Sequence, residues 1–175
     1  DECFVQFLTS GEEASMQLET GRFRYLFVLQ AFTKIYAVPG IRLGYGISSD
    51  KALLERMETV RQPWSVSTPA QAAGLSALKE DHREEQTRQL VKSERERMEK
   101  ELENLRIEYI PSEANFLLFN SEINWFEELK KRGILIRDCA NYRGLGNGWY
   151  RMAVRLPEEN DRLLECMKQV LNERS

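Results

Sequence analysis

Residues Lys79 to Leu105 carry seven Lys or Arg and nine Asp or Glu, and this stretch limits the possible folds more than any other feature. So many charges cannot enter a core, because burying an unpaired charge is prohibitively costly. Glu84/Arg88 and Glu96/Lys100 stand four apart with the acid first, the favourable order on a helix. Val91, Met98, Leu102 and Leu105 supply a narrow apolar stripe. The pattern predicts one long helix with a solvated face that links a lobe before it to a lobe after it. The boundary is expected within residues 80–100. The stretch is net acidic, and so is the whole 175-residue chain at −3. A solvated connector therefore outweighs a nucleic-acid role, and no membrane-surface role is expected.

The first lobe opens with Cys3-Phe4-Val5-Gln6-Phe7, which reads as a short strand. Tyr25 to Leu29 is a continuous apolar run, as in a parallel-sheet strand covered on both faces. Leu43 to Ile47 reads as another strand, where Gly44 and Gly46 permit close approach of other atoms. Asp50 can cap a helix bearing Leu53, Leu54, Met57 and Val60 on one face. Thr68, Pro69 and Gln71 form a capping-box start for the next helix, whose Ala70, Ala72, Ala73 and Gly74 allow tight packing. After the connector, Asn115–Phe119 reads as a strand. Ser121 caps a helix with Ile123, Phe126 and Leu129 inward, and Gly133 stops it. Strands at 134–137 and 150–155 follow, then a helix opened by Pro157 with Leu163, Leu164, Met167, Val170 and Leu171 inward. This order describes a small α+β lobe.

Several chemistries lack material. The chain has one histidine, His82, so Ser-His-Asp and multi-histidine metal mechanisms are not expected. Cys3, Cys139 and Cys166 match no metal or redox spacing, and a reduced, cytoplasmic setting is the simplest expectation. No apolar run approaches the roughly 20 residues of a membrane helix. The informative segment is Thr33-Lys34, just past a predicted strand, with Arg42 eight residues after the lysine beside glycines. A lysine in a partly desolvated pocket among cations loses its proton more easily and can form a Schiff base with an aldehyde. A hydroxyl and a guanidinium nearby can hold a phosphate. Spacing alone leaves a solvated loop lysine as the plainer reading. Along the last strand, Arg151, Ala153 and Arg155 share one face. One arginine there can face a cleft while the other pairs with Glu158 or Glu159. Asn115 and Tyr142 are further cleft candidates, with capping the plain alternative.

Thr33-Lys34 followed by Pro39-Gly40-Ile41-Arg42-Leu43-Gly44-Tyr45 resembles the cofactor-lysine segment of the aspartate-aminotransferase superfamily of pyridoxal 5'-phosphate (PLP) enzymes, classes I and II. Asp1-Glu2-Cys3-Phe4 resembles a strand end of its histidinol-phosphate aminotransferase branch. The segment 134–142, Gly144-Leu145, 149–155 and Pro63-Trp64-Ser65-Val66 are most similar to its threonine-phosphate decarboxylase branch, which serves cobalamin biosynthesis. The resemblance implies an α/β chain, with part of the PLP-transferase large-domain sheet and linking helices over 1–90 and a C-terminal α+β small domain over 91–175. The chain starts without Met, apparently inside a strand, so it is expected to be the C-terminal portion of a longer protein.

Residue by residue, the resemblance implies Lys34 as the catalytic, cofactor-binding lysine. Asp1 partners the pyridine nitrogen, and Thr33 and Arg42 are ligands of the cofactor phosphate. Arg151 grips the substrate α-carboxylate, and Arg137 contacts a second substrate anion. Phe4 stands where many relatives have a Tyr that bonds the cofactor, and Ala31 where they often have a phosphate-binding Ser. The family's upstream phosphate turn, ring-stacking aromatic and ring-oxygen Asn would precede Asp1. The implied enzyme decarboxylates a phosphorylated amino acid and forms a homodimer, with no nucleic-acid or membrane partner. The alternatives are an aminotransferase of the histidinol-phosphate type and an inactive fragment that serves as a packing module.

Overall fold

The computed structural model describes residues 1–80 and 82–174, with the backbone but not the side chain of Glu12. It divides into two units of nearly equal length, Asp1–Arg88 and Gln89–Ser175.

In the first unit, strand β1 (Phe27–Ala31) pairs with β2 (Gly44–Ser48). The pairing is antiparallel, not parallel as expected, with Leu29 opposite Gly46 and Ala31 opposite Gly44. The apolar run is covered on one face only. Val28 and Gln30 are buried, whereas Leu29 is 47% exposed. Gly46 serves a close approach, because a Cβ there would lie 2.3 Å from the Phe27 ring. The opening segment forms a 3-10 turn, Val5–Phe7, rather than a strand. Its amides bond locally, Val5 N to Glu2 O at 3.1 Å and Phe7 N to Phe4 O at 3.0 Å, while Glu2 N donates to Leu29 O of β1 at 2.8 Å.

Helix α1 (Lys51–Val60) is capped by Asp50, which accepts from Leu53 N. Its predicted apolar face is largely uncovered within the unit, because Leu54, Met57 and Val60 are exposed and Leu53 alone is half-buried. Helix α2 (Thr68–Ala77) is capped by Ser67 rather than Thr68. Ser67 holds the extended backbone of a cap, and its hydroxyl accepts from Ala70 N. Gln71 instead donates to Val66 O, outside the expected capping box.

The charged stretch forms α3 (Arg83–Asn104), and the division between the units falls inside it. The expectation of helix from Lys79 covers Asp81, which lies outside the described residues. Arg88 pairs with Glu85, three residues away, rather than with Glu84.

The second unit is a four-stranded antiparallel sheet of order β3-β4-β6-β5 with helices α4 and α5. Its strands are β3 (Glu108–Ile110), β4 (Phe116–Asn120), β5 (Arg137–Asp138) and β6 (Trp149–Ala153). Helix α4 spans Trp125–Lys131 and α5 spans Pro157–Asn172. The cap of α4 is Asn124, not Ser121, and Gly133 ends it at φ +74. β3 was not expected. The left-handed Arg106 (φ 57) ends α3 and turns the chain straight into it. Alternation on β6 follows the sequence pattern, with Tyr150, Met152 and Val154 buried. Leu117 and Phe119 of β4 are buried too, and so are Met98, Leu102, Trp125, Leu129, Leu163, Leu164, Met167 and Val170 of the helices. The opposite face carries the half-buried Phe116, Leu118 and Arg151 and the exposed Arg137. No helix among the described residues is long and apolar enough to cross a membrane.

Candidate active site

Each unit carries its own set of the expected residues. In the first unit, Phe32 N donates to Leu43 O at 3.1 Å, one pair beyond the end of the strands. That bond continues the register, so Thr33 and Arg42 follow at the mouth of the loop between them. Lys34 lies just inside the loop, exposed, with its Nζ 5.0 Å from the centroid of the Phe4 ring. Such an aromatic face attracts an ammonium without neutralising it. Phe4 therefore touches the lysine even though it lacks the hydroxyl of the family pattern. Asp1 is placed by the Glu2–Leu29 bond, and its Oδ1 accepts from Cys3 N at 2.9 Å. The expected desolvated pocket around Lys34 is not present within this unit, since the side chain is exposed.

Two residues of the loop, Ala37 (φ 54) and Arg42 (φ 56), hold left-handed backbone. This costs a side-chain-bearing residue roughly 1–2 kcal/mol. Gly40 and Gly44 stand nearby, yet the strain falls on Arg42, whose Nη1 donates to Pro39 O at 3.1 Å. Helix α2 supports the loop from behind. A Cβ at Gly74 would lie 2.6 Å from Cδ2 of Leu43, so glycine there lets Leu43 seat next to Arg42.

Beneath the loop lies a cavity of about 300 Å³ lined in part by Gln30, Tyr36, Tyr45, Glu84 and Arg88. The Tyr36 hydroxyl donates to Glu84, and its ring stacks on Phe32 at 4.9 Å. Burial, then the bond to Glu84, pushes the Tyr36 hydroxyl well above its usual range. Tyr45 donates to Gln30 Oε1 at 2.6 Å, and its hydroxyl is raised by burial and then by the Glu84 charge. Glu2 accepts from Ser15 Oγ at 2.6 Å and from Met16 N at 2.7 Å. Burial alone would raise its carboxyl, but these bonds and the longer one from Gln30 outweigh it and hold the group below its ordinary value.

In the second unit, Arg137 of β5 stands directly opposite Arg151 of β6. Residues so paired project to the same face, and like charges there repel. Neither guanidinium has a carboxylate partner among the described residues. Arg151 lies over the Phe116 ring at 5.0 Å. Arg137 lies 5.5 Å from the Tyr142 ring, and its Nη2 donates to Asn141 Oδ1 at 3.0 Å. Buried Cys139 reports both cations. Burial pushes its thiol up, while the Arg151 and Arg137 charges pull it down. Arg155, on the same strand face by sequence, is spent on Glu159 at 2.8 Å. Asn115 gives its carbonyl to Val154 N at 2.9 Å, a sheet bond rather than a cleft contact.

Sequence reasoning missed Tyr36, Glu84, Phe116 and Arg95. Tyr36 and Phe116 carry a local signal, because each lies within two residues of a segment already singled out. Glu84, 48 residues from Tyr36, and Arg95, buried in a run of charges, carry none.

Residues 1–166 match the family described as aminotransferase class I and II. The threonine-phosphate decarboxylase of Salmonella typhimurium is 37% identical over 175 residues, covering 98% of this chain and 48% of the relative. A histidinol-phosphate aminotransferase of Archaeoglobus fulgidus is also 37% identical, over 98% of this chain and 51% of its own. The crystal structure of the histidinol-phosphate aminotransferase from Clostridium acetobutylicum superposes with a TM-score of 0.92 at 32% identity, over 99% of this chain and 53% of that one. The chain spans about half the length of the curated relatives it matches. It belongs to the class I and II aminotransferase family, whose enzymes depend on PLP.

Proposed function

We propose that the protein is a PLP-dependent enzyme acting on an amino acid that bears a phosphate, and that it decarboxylates threonine phosphate. The observation that carries this is the Arg137–Arg151 pair, two cations side by side on one sheet face with no carboxylate partner among the described residues. A substrate with both a carboxylate and a phosphate supplies the two missing anions, and paired arginines suit both by bidentate bonding. The reaction itself is taken from the name of the Salmonella relative.

The first unit's residues fit PLP in kind. Among the described residues Lys34 offers an amine with no ion pair, and Asp1 engages Oδ1 alone. Thr33 and Arg42 add a hydroxyl and a guanidinium for a phosphate. When bound, the cofactor supplies an electron-withdrawing ring that takes up the electron pair released at the substrate's α-carbon. Lys34 would hold the cofactor covalently and would then move a proton at the substrate's α-carbon. Asp1 would keep the ring nitrogen protonated. Arg151 grips the substrate carboxylate and Arg137 the second anion. The orientation they impose selects the bond that breaks. Loss of the carboxylate would give carbon dioxide, and loss of the α-proton would lead to transamination.

The test is reduction with borohydride after incubation with PLP, followed by peptide mass analysis and product assay with threonine phosphate. The expected result is an adduct at Lys34, absent in Lys34→Ala, and carbon dioxide as product. Keto acid without carbon dioxide would favour transamination, the reaction named for the equally similar Archaeoglobus relative. No adduct at Lys34, in this chain or in a longer form, overturns the reading. A homodimer belongs to the same proposal, and sedimentation checks it.

A further inference from the structure

We propose that Arg95 is a positioning residue for Arg151, acting through the loop that leads into β4. The inference rests on the reading of Arg151 as the carboxylate-binding group. Arg95 is 6% exposed, among the most buried charged side chains of the described residues. It has no carboxylate partner among them. Its neighbours on α3 and α5 satisfy each other instead. Glu94 accepts from Arg97 and from Asn160, and Arg97 also pairs with Asp161 at 2.7 Å. Arg95 stands outside that network and spends its guanidinium on two consecutive backbone carbonyls. Nη1 donates to Glu113 O at 3.1 Å and to Ala114 O at 3.2 Å.

A buried guanidinium without a counter-charge is expensive, and an apolar side chain of similar length would fill the same space more cheaply. What the guanidinium does that an apolar chain cannot is fix the path of residues 113 and 114. Two residues later comes Phe116. Its ring lies against the Arg151 guanidinium, and it stands diagonally across the sheet from Arg151, since its direct partner is Ala153. Asn115 between them is tied to β6 through Val154 N. Glu99, one turn further along α3, accepts from Ser112 N at 3.4 Å and makes a second tie to the same loop. The helix thus clamps the loop by carbonyl and amide, and the loop presents an aromatic floor under the anion-binding arginine. A floor of this kind restricts a flexible cation to one position without neutralising it, which leaves its charge for the substrate.

The test needs no cofactor and no turnover. An Nε–H proton held over an aromatic face takes an upfield ring-current shift in NMR spectra. In the unaltered chain the Arg151 Nε–H should show that shift, and Phe116→Leu should abolish it. Arg95→Met keeps the length of the stem and removes the fork. It should leave the sheet amides dispersed as before while the Arg151 shift collapses and inorganic phosphate binds several-fold more weakly. Arg95→Lys keeps charge and burial with fewer directed donors and should give an intermediate shift, which serves where the methionine variant does not fold. A folded Arg95→Met or Arg95→Lys variant with the Arg151 resonance unmoved overturns the proposal, as does an unshifted resonance in the unaltered chain. The reading of the anion site fails separately, if inorganic phosphate moves neither Arg137 nor Arg151 in the unaltered chain while the ring-current shift is present.

Discussion

The two units have nearly the same length and opposite economies. Among described residues the first buries only Phe7, Val28, Phe32, Ile35 and Ala70 as hydrophobic core, whereas the second buries seventeen such residues. The first leaves Tyr25 at 88% and Trp64 at 95% exposure, with Leu18 and Val60 similarly bare. The second gathers its buried apolar side chains on one face of a four-stranded sheet, and the other face mixes Phe116 and Leu118 with Arg137 and Arg151. The contrast separates two kinds of claim. What holds the second unit together lies within it, so substitutions there test packing directly. The first unit holds the proposed cofactor residues on a two-stranded ribbon, and such a ribbon alone is marginal in water.

The sharpest way to break this comparison is truncation of matched apolar residues. Leu129→Ala empties a site with no exposure on α4 and should cost about 2–5 kcal/mol in urea unfolding. Val60→Ala, on the bare face of α1, should stay within about 0.5 kcal/mol. Comparable losses at the two positions would mean that the first unit is covered after all, and the division of roles would go.

Next in size is the polar hub of the second unit. Glu94 is held below its ordinary value of 4.5 chiefly by the hydrogen bonds from Arg97, against the opposing effect of burial and with help from Asn160. A carboxyl depressed on folding adds stability above its unfolded value, and that stability is lost as pH falls through the folded value. The second unit should therefore weaken below about pH 4.5. Glu94→Gln should lower stability at pH 7 and flatten that acid slope. An unchanged slope would place the acid sensitivity at other carboxylates.

A smaller effect belongs to the first unit. Tyr36→Phe removes the hydroxyl that bonds Glu84 and should cost about 1.5–3 kcal/mol, as for a hydrogen bond to a charged group. A loss near zero would show that water substitutes freely there, sharpening the view of this unit as loosely held.

How much of this was legible depended on the range of the interaction. Periodicity showed α5 and the inward set Tyr150, Met152 and Val154, because alternation and helical spacing are local. It also showed α1, though not that its apolar face would stay bare, since cover is a property of other segments. Cys3–Phe7 has strand composition yet forms a 3-10 turn, because its amides close local bonds to Glu2 O and Phe4 O that composition does not reveal. The antiparallel β1–β2 pairing was hidden for the same reason, as an apolar run does not reveal the direction of its neighbour. Caps slipped by one or a few residues, from Thr68 to Ser67 and from Ser121 to Asn124, because several hydroxyl and amide side chains compete and backbone dihedrals choose among them. The lysine loop was readable through resemblance. The ring under Lys34, the ring under Arg151 and the tie from Arg95 were not, since each joins residues that only the folded chain brings together.

The smallest expected effect tests whether function and stability are separate on the open face of the second sheet. Arg151 and Arg155 lie four apart on one strand face, and the sequence left open which of them binds. Arg155 pairs with Glu159 at 2.8 Å while both side chains remain largely in water, at 64% and 45% exposure. Such pairs contribute about 0–1 kcal/mol, so Arg155→Ala should scarcely move the unfolding midpoint. It should also leave the phosphate-induced changes at Arg137 intact. Arg151→Ala should likewise cost little stability, because it removes a cation repelled by Arg137 across the strands. It should nevertheless abolish phosphate binding. If Arg155→Ala also abolished binding, the anion site would extend along the whole strand. If Arg151→Ala unfolded the sheet, its place over Phe116 would be a packing contact first, and the open face would belong to the same structural economy as the core behind it.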